Sequence, residues 1–205
     1  MLGNIFSAEG FSQLLLSIPA VLWAICFHEY CHGLAAKLLG DPTAEREGRL
    51  SLNPLHHLDP LGALCLLLFR FGWAKPVPID TRYFKHPKRD IILVSLSGVA
   101  GNLFTAFVCA QLVRWLPGLF TSYAAQQFIL LMIYINLGLA AFNILPIPPL
   151  DGSRILYVLL PYQWMKYYYW LERYGMIVIV VLLVTDILPR IMSPIMALLF
   201  RIVMI

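Results

Sequence analysis

The chain has 205 residues, of which 60% are hydrophobic and 13% are charged, and its formal net charge is +4 at pH 7. An ordinary soluble domain has about 45–50% apolar and about 25% charged residues, so this composition excludes a soluble protein and indicates an integral membrane protein. The basic residues gather in loops and form no continuous basic face with interleaved aromatic residues, which argues against a nucleic-acid partner.

Long apolar runs predict an all-α polytopic membrane protein. They cover residues 11–39, 91–113, 124–145 and 176–188, the last extending toward residue 200. At about 20 residues per span, they predict about four to six membrane-embedded helices. No polar stretch is long enough for a separate soluble domain, so residues 1–205 are expected to form a single membrane-embedded domain. The first run lacks the basic start and the cleavage site of a removable signal peptide, so we expect it to be retained.

The first apolar run carries His28, Glu29 and His32, which form an HExxH motif. Residues four apart on a helix lie one turn apart, so the two imidazoles face one point and can share a zinc ion. Glu29 lies beside them, where it can take a proton from a water activated by the metal. A charge at the centre of a membrane helix costs about 2.5–3.5 kcal/mol on insertion scales, so such residues are usually functional. The alternative is that the histidines bond to nearby carbonyls and that Glu29 pairs with Lys37 or Arg49.

The region after the first run is unlike a simple loop. The run ends near Gly40–Pro42, and the apolar stretch 61–71 is too short to cross a bilayer of about 30 Å, which predicts a re-entrant or interfacial helix. Pro76 and Pro78 favour an extended, strand-like piece. Five basic residues lie in 75–90, which by the positive-inside tendency predicts a cytoplasmic loop. The N-terminus would then be outside and the motif would lie toward the cytoplasmic half.

The run 124–145 leads into three prolines and Asp151, which is followed by Gly152. This pattern predicts a helix break, a tight reversal and a new helix from Ser153. Catalytic zinc takes three protein ligands and a water, so the two histidines need a third ligand, for which Asp151 is the leading candidate. The alternative is that Asp151 serves only as a turn residue or a helix N-cap.

The last part of the chain is rich in aromatic residues. Those in 162–174 indicate a belt at the membrane interface, ahead of a final span that begins near Met176. Asp186 and the following Pro189 predict that this span breaks or ends early.

The motif His28–His32, together with the stretch Asn143–Gly152, resembles the site-2 protease family of intramembrane zinc metalloproteases, peptidase family M50. The stretches that resemble the connecting region of its small bacterial members are Gly48–Pro54, Asp59–Gly62 and Gly72–Pro78, and Ser97–Asn102 resembles the family's Gly-x-x-x-Asn element. Unlike the larger relatives, this chain is expected to have neither an inserted PDZ domain nor a CBS domain after the last span.

The resemblance implies that His28, His32 and Asp151 bind one zinc ion and that Glu29 is the general base and then the general acid. It also implies that the substrates are proteins with transmembrane helices, cleaved within the bilayer of a bacterial cell membrane. Substrate access would then be set by size exclusion, by the connecting region 43–90 or by an unseen regulatory partner, and a homo-oligomer stays open. Two other functions stay open: a catalytically silent membrane protein that binds client helices, and a small metal or proton transporter.

Asn102 and Asn143 are polar groups in apolar spans. They are predicted to hold the substrate backbone or the developing oxyanion. The alternative for each is hydrogen bonding between helices, which polar residues in membrane proteins commonly make.

Overall fold

The computed structural model describes residues 8–60, 62 and 75–204, with side chains from residue 13 onward. Within these residues the chain forms seven α-helices, joined by short 3-10 turns and irregular segments, and no β-strand. The helices are α1 (Ala8–Leu38), α2 (Thr43–Arg46), α3 (Pro87–Trp115), α4 (Tyr123–Asn143), α5 (Asp151–Leu159), α6 (Met165–Val184) and α7 (Ile187–Val203). The predicted all-α fold is confirmed, whereas the helix predicted over 61–71 falls outside the described residues apart from Gly62.

Within the described part of the chain, four segments are long and apolar enough to cross a membrane, judged by length and composition. They are Gln13–Leu38, Pro87–Trp115, Tyr123–Asn143 and Tyr162–Val184. Their number agrees with the predicted four to six embedded helices. The last span was predicted to begin near Met176 and begins earlier, since the aromatic belt forms its first turns. A helix continues through the interface when amphipathic aromatic rings can occupy the headgroup layer.

The central bundle consists of α1, α3 and α4, each of which packs against the other two. Small residues line these contacts and are fully buried, among them Ala20, Ala24, Ala106, Ala140 and Ala141. Lipid tails are as apolar as leucine, so membrane helices associate through close packing of small residues. Around this bundle, α5 contacts α3, and α7 packs on α4 and α6.

The segment 75–80 runs back toward the end of α1. It contains no helical turn, as Pro76 and Pro78 predict. The buried carboxylate of Asp41 accepts hydrogen bonds from the backbone N–H groups of Thr43 at 2.9 Å and Asp80 at 2.7 Å. This side chain therefore ties the segment to the turn that ends α1.

The chain breaks between α4 and α5, where the prolines predict it. A new helix was expected from Ser153 and begins at Asp151. The reversal is completed earlier than expected, because Leu150 is extended and accepts a hydrogen bond from the Ser153 hydroxyl at 2.6 Å. The predicted break after α6 is also present, since Asp186 has a left-handed backbone with φ 56°.

Candidate metal centre

Three side chains, two from α1 and one from the start of α5, converge within the bundle. The Nε2 atoms of His28 and His32 lie 3.0 Å apart, and the Oδ2 atom of Asp151 lies 3.1 Å from each of them. Both histidines are 5% exposed, so the cluster is shielded from its surroundings. Among the described residues this is the one group of three or more His, Cys, Asp or Glu side chains that could hold a metal ion.

Both imidazoles are oriented through their other nitrogen. The Nδ1 atom of His32 lies 2.7 Å from the Val94 carbonyl oxygen, which can only accept, so Nδ1 carries a proton. The Nδ1 atom of His28 lies 2.6 Å from Asn102 Oδ1. Asn102 turns its oxygen to His28 because its nitrogen donates to the Ala24 carbonyl at 3.0 Å and to Asn136 Oδ1 at 2.9 Å. Both histidines therefore present an Nε2 lone pair to Asp151.

Two lone pairs and a carboxylate oxygen at such distances repel one another unless positive charge lies between them. A proton could bridge only two of these three atoms by a hydrogen bond, whereas a metal cation between them could bind all three. Zinc with bonds of about 2.0–2.1 Å holds tetrahedral ligand atoms about 3.3 Å apart, close to the observed separations. The residues present therefore fit a zinc ion with three protein ligands and one open position.

Asp151 is suited to ligation in its ionised form. Without a metal ion, protonated imidazoles beside this carboxyl would hold its pKa well below its usual value through hydrogen bonds and charge, although burial raises it. An ionised carboxylate is the form that binds a metal ion.

Glu29 is beside the cluster and does not ligate it. One of its carboxylate oxygens, Oε2, accepts a hydrogen bond from the backbone N–H of Val77 at 2.8 Å. Arg49 holds this part of the connecting segment, since its Nη2 atom donates to the carbonyls of Lys75 at 2.8 Å and Pro76 at 3.2 Å. The connecting segment thus fixes the orientation of the Glu29 carboxylate.

These contacts differ from the alternative pairing of Glu29 with a basic residue. Lys37 instead forms an ion pair with Glu45 at 2.6 Å. Arg49 donates its hydrogen bonds to the backbone carbonyls of Lys75 and Pro76 and not to Glu29.

Glycines make room for the cluster. A Cβ atom on Gly98 would lie 2.5 Å from His32 Nε2 and 2.6 Å from His28 Cε1. One turn on, a Cβ on Gly101 would lie 2.5 Å from Cys31 Sγ. The Gly-x-x-x-Asn element therefore has two functions on one face of α3: Gly98 admits the imidazoles and Asn102 orients one of them.

The loop that delivers Asp151 is held from both sides. A Cβ on Gly152 would overlap the Ile144 carbonyl, and a Cβ on Gly175 of α6 would overlap the Pro148 carbonyl. These close approaches require glycine, and they seat the proline-rich loop between α4 and α6.

The two asparagines predicted to contact substrate have different surroundings. Asn102 is fully buried and engaged with His28, Ala24 and Asn136, so it lies at the cluster as a support for a histidine. Asn143 is not part of the cluster, and its nitrogen donates to the Leu139 carbonyl of its own helix at 3.1 Å. A substrate contact for either residue stays a prediction that these hydrogen bonds do not support.

Two features of the site, Asn136 and the Val77 backbone, were missed in the sequence, and Gly98 of the Gly-x-x-x-Asn element had no role assigned. Asn136 is a polar amide within the apolar run 124–145, which is the same signal that marks Asn143. Gly98 lies four residues before Asn102, a spacing that places both on one helix face. The backbone N–H of Val77 carries no side-chain signal and could not have been found.

Most of the chain is similar in sequence to known proteins. The family model for Peptidase family M50 matches residues 118–185. The chain is 39% identical over 183 residues to "Putative zinc metalloprotease YwhC" of Bacillus subtilis, covering 86% of this chain and 84% of that protein. It is 31% identical over 184 residues to "Putative zinc metalloprotease Rip2" of Mycolicibacterium smegmatis, covering 86% and 69%. With "Putative zinc metalloprotease MJ0611" of Methanocaldococcus jannaschii the identity is 33% over 157 residues, covering 74% and 75%.

No solved structure matches the chain. The identity with two of these relatives extends over 86% of the chain, so it reaches well beyond the matched segment 118–185. The chain therefore belongs to peptidase family M50, the site-2 protease family of intramembrane zinc metalloproteases.

Proposed function

We propose that this protein is a zinc endopeptidase that hydrolyses peptide bonds within or near the transmembrane helices of membrane proteins. The observation that carries the proposal is the convergence of His28, His32 and Asp151, with their ligand atoms 3.0–3.1 Å apart. Because α1 is long and apolar enough to span a bilayer, a peptide bond would have to reach this cluster at membrane depth. The names of the relatives support zinc as the metal.

In this mechanism His28, His32 and Asp151 would hold one zinc ion, which when bound would polarise the scissile carbonyl as a Lewis acid and lower the pKa of a water molecule. Glu29 takes the proton of the attacking water and passes it to the leaving amine. The N–H of Val77 holds one carboxylate oxygen of Glu29, which leaves the other oxygen to exchange the proton.

The test combines metal analysis with cleavage of single-span model substrates by the purified protein. Wild type is expected to hold one zinc per chain and to cut. The matched variant Glu29→Gln keeps shape and removes the base, so it is expected to keep zinc and lose about 10²–10⁴-fold in rate. Absence of zinc from wild type, or equal cutting by Glu29→Gln, would refute the proposal.

The same preparation separates the alternatives. A silent client-binding protein would capture a single-span substrate and leave it intact with zinc present. A transporter would move metal ions or protons into liposomes without cleaving peptide. Cleavage that depends on Glu29 excludes both as the main function.

For the location we propose a bacterial cell membrane, with the loop 75–90 in the cytoplasm and the site toward the cytoplasmic half. The five basic residues of this loop support that orientation. A single cysteine placed at Lys85, which is exposed, should react with an impermeant reagent only after the cells are opened. Labelling in intact cells would show that this loop lies outside the cell, which would contradict the proposed orientation.

A further inference from the structure

Asn136 is an amide in the middle of the apolar helix α4 and is 0% exposed. It is not one of the three converging side chains, yet both ends of its amide are engaged in hydrogen bonds. Its nitrogen donates to the Met132 carbonyl at 2.8 Å, and its oxygen accepts from Asn102 at 2.9 Å. A polar group kept in a membrane helix in this way calls for a function.

The hydrogen bonds of Asn136 fix which end of its amide is the nitrogen and which is the oxygen. The Met132 carbonyl can only accept, so the nitrogen of Asn136 faces its own helix and its oxygen faces α3. That oxygen takes one N–H of Asn102, and the Ala24 carbonyl takes the other. The oxygen of Asn102 is left for Nδ1 of His28.

We propose that Asn136 is a positioning residue, which fixes the orientation of the Asn102 amide and through it the tautomer and ring orientation of His28. An Asn102 amide turned by 180° would place an N–H against Nδ1 of His28. The proton of the imidazole would then move to Nε2, and the lone pair needed for the metal would be lost. This inference rests on the proposed function, since it presupposes a metal ion at the cluster.

The same helix offers a matched control. Asn143 lies two turns after Asn136, and its nitrogen also donates to the carbonyl four residues before it. It is half-buried and lies outside the cluster. The pair Asn136→Leu and Asn143→Leu therefore makes the same chemical change on the same helix, with and without the link to His28.

The experiment measures zinc affinity by competition with a chelator, in detergent and without substrate. Removing a residue that hydrogen-bonds to a metal ligand typically lowers metal affinity by about 10–100-fold. We therefore expect Asn102→Ala to lower zinc affinity by an amount in this range. Asn136→Leu, which acts one residue further away, should lower it by about tenfold. Asn143→Leu should bind zinc like wild type. Asn136→Asp keeps an oxygen toward Asn102 and should restore the affinity.

A double variant separates positioning from general packing. If Asn136 acts only through Asn102, adding Asn136→Leu to Asn102→Ala lowers zinc affinity no further. Additive losses, or equal affinities of Asn136→Leu and Asn143→Leu, would overturn the inference. If Asn136→Leu is not recovered folded, Asn136→Ala replaces it. Wild type without zinc would instead defeat the proposed function, so the two failures are distinguishable.

Discussion

The contact of Gly98 with the two imidazoles leads to a prediction with a defined magnitude. In Gly98→Ala the new Cβ would lie 2.5 Å from His32 Nε2, where ordinary contact begins at 3.4 Å. The ring or the helix must therefore move by about 0.9 Å, which exceeds the roughly 0.5 Å that a functional site tolerates. Because the contacted atom is a candidate ligand, we expect zinc affinity to fall by on the order of 10–100-fold.

Gly101→Ala is the matched control for this variant. Gly101 also lies on α3 and also faces α1. Its new Cβ would lie 2.5 Å from Cys31 Sγ, the same distance as from a Cβ on Gly98 to His32 Nε2, but it would meet no ligand atom among its nearest neighbours. Overpacking of this kind costs typically about 1–3 kcal/mol, so both variants should lose similar stability in thermal unfolding of the metal-free protein. Zinc competition should then separate them. Equal zinc affinities of the two variants would refute the reasoning that Gly98 makes room for the ligands.

Three further outcomes are expected. Asp151→Ala should lower zinc occupancy as well as cleavage, and unchanged occupancy in metal analysis would remove Asp151 from the ligand set. Arg49→Met should lower kcat by about tenfold or more at unchanged zinc affinity, because the segment that orients the general base loses its anchor; equal kcat would contradict this role. Gly175→Ala should displace the Pro148 loop and reduce zinc affinity, while Gly138→Ala, whose Cβ meets only a methionine methyl at 3.9 Å, should not.

Much of the fold follows from the sequence because span length and hydropathy are fixed by the bilayer. The runs around residues 91–113 and 124–145 correspond closely to α3 and α4. The start of α6 was placed too late, since aromatic residues lower the apolar signal without ending the helix. Apolar length is a reliable measure of a span and a poor measure of where its helix begins.

The candidate ligands could also be chosen from the sequence, although their convergence could not be derived from it. The spacing of His28 and His32 fixes one helix face, whereas Asp151 reaches them only through the loop seated by Gly152 and Gly175. The support of Glu29 by Val77 comes from a backbone N–H and depends on how a distant segment folds back. Contacts of this kind are set by tertiary packing and leave no mark in residue type.

The hydrogen bonds from His28 through Asn102 to Asn136 join spans that enter the bilayer one after another during biogenesis. Insertion of α1 brings two imidazoles and a carboxylate into lipid before α3 and α4 have been synthesised. A hydrogen bond between membrane helices contributes about 0.6 kcal/mol on average, so close packing of small residues must complete the assembly. Under the proposed function, a chain whose third span and following loop have not yet docked lacks Asp151 beside the two histidines and would not hydrolyse peptides.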